Sequence, residues 1–317
     1  MSQTILISGG TGFLGRHLGA HLRSSGDTRV VLAARNNEQN RKAGDESGCE
    51  VLPMDVTNIE SVRDTINAVR PDVFIHAAAT KYVDLSEREP FECIDVNVVG
   101  SENVARVAID KKVPIVLGIS TDKAAPPTTT TYGMSKAIME RLFCALDGRS
   151  DTRFGNVRFG NIAWSTGSVF PPWREMAERD GVIGSTGPEM RRYFFSIDEA
   201  TGLVARAIDN MDQVGGRVLS IDMGAAQMSD ILDVWKDKFG TDWERLPPRP
   251  GDSIDQGLIG DSEVGHTKTI QLDGHTHYLC DFRDRDFGDL TEPLTSETAR
   301  RLTVDEISTL LDDPALR

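Results

Sequence analysis

Between Thr121 and Lys136 the chain collects an acid, two amines and a phenol, as Thr121-Asp122-Lys123 and then Tyr132-Gly-Met-Ser-Lys136. They follow the apolar run Ile115-Val-Leu-Gly-Ile-Ser120. A strand ending in Ser120 and Thr121 delivers these groups to the carboxyl edge of a sheet, where open α/β folds hold their ligands. Tyr132 and Lys136 are four apart and share one face of a helix. An ammonium beside a phenol lowers its pKa and lets it act as a base near neutrality. Tyr-x-x-x-Lys also arises by chance, as an exposed aromatic and a solvated lysine, so its weight depends on what lies upstream.

The elements that must position these groups are readable in order. Thr4-Ile-Leu-Ile-Ser8 is a short buried strand, and Phe13, Leu14, Leu18 and Leu22 mark the helix after it. Between them Gly9, Gly12 and Gly15 form a phosphate-binding turn, whose close backbone approach and helix N-terminus suit a pyrophosphate. Gly9, Thr11, Gly12, Phe13, Leu14 and Gly15 are the expected cofactor contacts there. The second strand, Arg29 to Ala34, ends in Arg35 instead of an acid, which favours the 2′-phosphate of NADP over the ribose hydroxyl of NAD. The polar stretch Asn36 to Gly48 reads as a loop or frayed helix. A third strand ends at Asp55 and Val56, with Asp55 placed to meet the adenine, and Ile59, Val62, Ile66 and Val69 line one helix face. The fourth strand closes on Ala77, Ala78 and Ala79, small enough for a cofactor to pass over, and Lys81 follows within reach of cofactor or substrate. Asn97, polar on the long helix Phe91 to Lys112, is either a cofactor contact or a structural bridge.

Strand and helix alternate throughout this half, so the fold class is α/β, a Rossmann-like doubly wound parallel sheet with a smaller C-terminal substrate-binding domain. The expected division is 1–165 for the dinucleotide, with 196–222 returning to it, and 166–195 plus 223–317 for the substrate. Ser196-Ile-Asp-Glu199 and Thr303-Val-Asp-Glu306 are capping boxes opening helices. Arg217 to Ile221 reads as a return strand.

With 317 residues there is ample core, and a net charge of −14 argues against nucleic acid and anionic membrane surfaces as partners. Four scattered cysteines suit a reducing cytoplasm. No apolar stretch is long enough to span a bilayer. His17 and His21, and His275 and His277 near Cys280, lack further ligands at metal spacing and read as packing or surface residues, so no metal is expected.

Taken together, these residues resemble the extended short-chain dehydrogenase/reductase family, and within it the nucleotide-sugar 4,6-dehydratases of the polysaccharide-biosynthesis type, including inverting UDP-N-acetylglucosamine dehydratases. The marks are Gly9-Gly-Thr-Gly-Phe-Leu-Gly15, His76-Ala-Ala-Ala, Ser120-Thr-Asp-Lys-Ala-Ala125, Tyr132-Gly-Met-Ser-Lys136, Arg158-Phe-Gly-Asn161, Gly167-Ser-Val-Phe-Pro171 and Arg249-Pro-Gly-Asp252. The resemblance implies that Tyr132 and Lys136 serve hydride transfer, with Thr121 or Ser120 bonding the sugar 4-hydroxyl. It implies Asp122 and Lys123 as the acid/base pair eliminating water across C5 and C6. Asn161, Arg192 and Arg249, with Asp252 beside them, match positions on the nucleotide diphosphate. It further implies a homodimer or a multiple of it, through the helices after Phe91 and carrying Tyr132, with Ile138, Leu142 and Phe143 as spare apolar positions.

The chain departs from that pattern in three places. The step from Asp-Lys to Tyr is one residue longer, Ser253 stands where Lys is usual, and Thr80-Lys81-Tyr82 replaces Leu-Lys-His. The rival readings are a nucleotide-sugar 4-epimerase or 4-keto reductase, and more distantly a non-catalytic NADP-binding protein on the same fold.

Overall fold

A computed structural model describes residues 3–24, 26–248 and 251–312. The first half lays down β1 (Gln3–Ser8), α1 (Phe13–Ser24), β2 (Thr28–Ala34), α2 (Asn37–Ser47), β3 (Glu50–Pro53), α3 (Ile59–Val69) and β4 (Val73–His76). Then come α4 (Val83–Arg88), α5 (Pro90–Ile94), α6 (Gly100–Asp110), β5 (Ile115–Ile119), α7 (Thr131–Leu146) and β6 (Arg153–Val157). The strands pair in parallel in the order β3-β2-β1-β4-β5-β6, and Val218–Ile221 returns to extend the row beside β6. This is the doubly wound sheet expected.

Alternating side chains feed both faces. Ile5 and Ile7 of β1 join Leu18, Leu22, Leu32, Leu203 and Ala207 in one core. Leu6, between them, faces Val62, Ile66, Val104, Val107 and Phe143 in the other. Period-two alternation in a strand covered by helices on both sides produces this split.

Three elements differ from their sequence reading. The stretch after Arg35 is a full helix: Asn36 caps it by accepting from Gln39 N, and Gly48 ends it in the left-handed region. Its polar surface hid the anchoring, because buried Asn40 donates to the carbonyls of Ala34 and Leu52 at 2.8 and 3.2 Å. The long helix after Phe91 is interrupted by one π-helical turn, Asp95–Val99. Finally, Thr267–Leu272 and His275–Cys280, in the stretch read as substrate-side, form an antiparallel hairpin that extends the main sheet beyond Val218–Ile221. Hydrogen bonding an otherwise bare sheet edge accounts for that placement.

The excursion between β6 and the return strand is knit from short pieces. Arg191–Phe195 pairs with Asn161–Ile162 and with Ala225–Gln227, and Val182–Ser185 pairs with Asp242–Arg245. Phe170, Trp173, Phe194 and Trp235 stack beneath them as buried core. Ser196 and Thr303 each cap a helix with the reciprocal Glu.

Candidate active site

One cavity of about 1210 Å³ runs from the Gly9–Gly15 turn across the ends of β4 and β5 to the excursion. Its dinucleotide half is built by the turn after β1. Gly9 takes φ +67°, and a Cβ there would lie 2.8 Å from the backbone of Ala77 and Ala78, so the chain can close on the end of β4 only without a side chain. Gly9, Thr11, Gly12, Phe13, Leu14 and Gly15 line this end, and Ala77, Ala78 and Ala79 form its floor. Arg35 and Val56 line the rim with Asn36 and Gln39. The Arg35 guanidinium lies 3.9 Å from Glu92 of α5. The close glycine turn, the small floor and a rim arginine fit a dinucleotide.

Two expected cofactor contacts have partners within the protein. Asp55 does not line the cavity, and its Oδ1 accepts from the Thr57 amide and hydroxyl at 3.0 and 2.8 Å, fixing the turn into α3. Asn97 sits in the π-helical turn, buried, and bridges: its Oδ1 accepts from Thr80 N at 2.9 Å while its Nδ2 donates to Thr80 O and Ser135 Oγ. It ties the loop after β4 to α7 and does not line the cavity, so of the two readings open from the sequence the bridge is the geometry observed.

At the centre, β5 ends in Ser120 and Thr121 and α7 brings in Tyr132 and Lys136, all lining the cavity. Thr130 caps α7 by accepting from Gly133 N at 3.1 Å, which sets the turn carrying Tyr132. The buried Ser120 hydroxyl has no hydrogen-bond partner among the described residues. The Tyr132 phenol is raised above its ordinary range by burial, with the Thr121 hydroxyl opposing through a hydrogen bond and the Asp122 carboxylate adding to the rise. Lys136 Nζ donates to Ile119 O at 2.8 Å. Burial pushes the ammonium down to about 8, against the pull of Glu140. The lowered phenol expected from the Tyr-x-x-x-Lys spacing is therefore not what this conformation holds, because desolvation outweighs the neighbouring charge.

Asp122 and Lys123 form an ion pair at 3.0 Å. Lys123 lines the cavity; Asp122 does not, and its Oδ1 accepts from both Lys123 Nζ and Thr121 Oγ1. Asp122 Oδ2 is buried with no hydrogen-bond partner among the described residues.

The substrate half is lined by Asn161, Arg192, Asp252 and Lys81. Arg192 is aimed by backbone carbonyls, donating to Ser253 O at 2.7 Å and Ile254 O at 2.9 Å. Arg249 lies outside the described residues. Arg191, next to Arg192, is committed to Asp255 by two bonds of 2.6 Å. Sequence reasoning did not single out Ser165, Thr166, Ser185, Met190 or Gln256 as lining residues. Only the glycine before Ser168 signalled that loop: Gly167 takes φ +94°, and a Cβ on it would meet the Tyr82 ring at 3.2 Å.

A nucleotide-binding turn, an open doubly wound sheet and a Tyr–Lys pair on one helix define an extended short-chain dehydrogenase/reductase. The chain belongs to the polysaccharide biosynthesis protein family, whose model matches residues 5–269. It is 30% identical over 280 residues to the capsular polysaccharide biosynthesis protein CapD of Staphylococcus aureus, matching 83% of this chain and 46% of that protein. It spans less than half of that relative. It is 29% identical to a UDP-glucose 4-epimerase of Rickettsia felis, over 98% of this chain and 96% of that one. Among solved structures, Pen from Bacillus thuringiensis superposes with a TM-score of 0.87 at 24% identity, covering 98% and 97% of the two chains. Among the described residues no helix is long and apolar enough to cross a membrane.

Proposed function

We propose that this protein is an NADP-dependent nucleotide-sugar 4,6-dehydratase acting on a UDP-sugar such as UDP-N-acetylglucosamine. The carrying observation is Lys123, which lines the same cavity as Tyr132 and Lys136 and is ion-paired at 3.0 Å to the buried Asp122 beside it. Oxidation at C4 needs only a base for the 4-hydroxyl; a second acid/base pair has work to do only if C5 and C6 also react.

The dinucleotide, when bound, supplies a reversible hydride acceptor. Tyr132 takes the 4-hydroxyl proton, and Lys136 holds positive charge beside it. The resulting 4-ketone acidifies C5–H. Elimination by this pair requires Lys123 as the free amine and Asp122 as the carboxylic acid, one proton between them. Lys123 takes the C5 proton while Asp122 protonates the departing 6-hydroxyl, breaking C6–O and forming the C5–C6 double bond. Lys123 then returns its proton to C5 as C6 is reduced. The proton gained by Tyr132 balances the one leaving in water. Arg192 offers the diphosphate a planar cation oriented by backbone carbonyls.

The test is incubation with UDP-, dTDP- and GDP-sugars and mass analysis of the product. Loss of water supports the reading. Unchanged mass with inverted C4 would replace it with 4-epimerisation, the activity named for the Rickettsia relative. Stoichiometric consumption of NADPH would replace it with a one-way reductase.

We further infer a homodimer through α5 and α7. Phe91, Ile94, Met134 and Ile138 are exposed there, Phe91 at 81%. Phe143 is fully buried and Leu142 packs on the sheet core, so of the three positions noted in the sequence only Ile138 is free for a partner.

A further inference from the structure

Behind Lys136 lies a row of buried charges that the reaction above does not use. Glu140 follows one turn later on α7, and both residues are almost completely inaccessible, at 3% and 1% exposure. Both Glu140 oxygens accept from Arg158, at 2.9 Å from Nε and 2.6 Å from Nη2. The other side of that guanidinium is filled by both oxygens of Glu263, at 2.7 and 2.8 Å, and by the Leu258 carbonyl at 2.9 Å. Two carboxylates on one guanidinium leave one negative charge uncompensated, in a place where water cannot screen it. The remaining cation in the row is Lys136.

We propose that Glu140 is a positioning residue for Lys136: held by Arg158, its carboxylate keeps the ammonium charged at the carboxyl end of β5, and Glu263 completes a neutral row of four. The other titratable groups facing Lys136 do not supply that charge. They are His76 from β4, whose burial keeps it neutral, the Cys93 thiol of α5, and Tyr132 on α7 itself. Among the influences on Lys136, burial lowers it and Glu140 is the largest that raises it.

The inference rests on Tyr132 and Lys136 performing the proton chemistry, yet its measurement is independent of turnover. In protein labelled with 13C-lysine, the Lys136 Cε resonance is assigned by its disappearance in Lys136→Arg and titrated without any sugar nucleotide. Glu140→Gln should lower the midpoint by about one pH unit or more, the size of a nearby charge effect. Glu263→Gln removes the same charge from the far side of the guanidinium and should lower it by less than half as much. An unchanged midpoint in Glu140→Gln, or equal shifts in both variants, overturns the proposal. Should Glu140→Gln not fold, Glu140→Asp withdraws the carboxylate by one methylene and should lower the midpoint part way; no shift there is equally fatal. Absent turnover on every sugar nucleotide would sink the dehydratase reading and leave this result standing.

Discussion

Tyr132 and Lys136 share a face of α7, with the ammonium donating to Ile119 O and the phenol raised by burial. The division of labour is testable one residue at a time. Tyr132→Phe should lose both oxidation and dehydration, by about 10²–10⁴ in rate. Lys123→Ala should still oxidise C4, seen as NADPH absorbance from bound NADP on adding the sugar nucleotide, and stall there without product. Asp122→Asn should exchange the C5 proton for deuterium while losing water slowly. Undiminished dehydration by Lys123→Ala would discard the assignment. Arg35, whose partner Glu92 is 3.9 Å away, is free to turn toward a 2′-phosphate. A hydrogen bond to a charged group is worth about 1.5–3 kcal/mol, so Arg35→Ala should weaken NADP about tenfold or more and leave NAD unaffected in a binding titration. Equal losses for both would contradict the NADP preference.

At the level of elements, β4 ends in His76, fully buried between Ser8 Oγ at 2.9 Å and Ser101 Oγ at 3.1 Å. Burial pushes its imidazole down to about 3. The folded value lies below the ordinary 6.5, so as pH falls the unfolded chain takes the proton first. Stability is then lost between pH 6.5 and about 3, at up to about 1.4 kcal/mol per pH unit from this one group. His76→Gln should flatten the fall of Tm across that window relative to the parent; parallel curves would refute it. The strands and the turn at Gly9 were legible because their signals are local: apolar runs and a glycine spacing. α2 was not, since it holds the sheet through a buried asparagine and a single core alanine, Ala43, inside a polar sequence. Asp55 and Asn97 were legible as important polar residues but not as to which neighbour they bond. The Arg158 cluster was invisible for a different reason, its carboxylates coming from 18 and 105 residues away, a distance that no periodicity reports.

For the molecule as a whole, the apolar surface on α5 and α7 predicts association. Phe91→Asp combined with Ile138→Lys should yield monomers by light scattering at micromolar concentration where the parent is dimeric, and a monomeric parent would refute the dimer. The hairpin Thr267–Cys280 has an implication of its own. Val218–Ile221 is hydrogen-bonded on one side by β6 and on the other by His275–Cys280, so the sheet that carries the nucleotide turn at residue 9 is finished by strands more than two hundred residues later. During synthesis the edge at Val218 stays open until the chain through Cys280 has left the ribosome. That edge of the sheet is therefore completed last, after every strand that flanks the turn at residue 9 has been made.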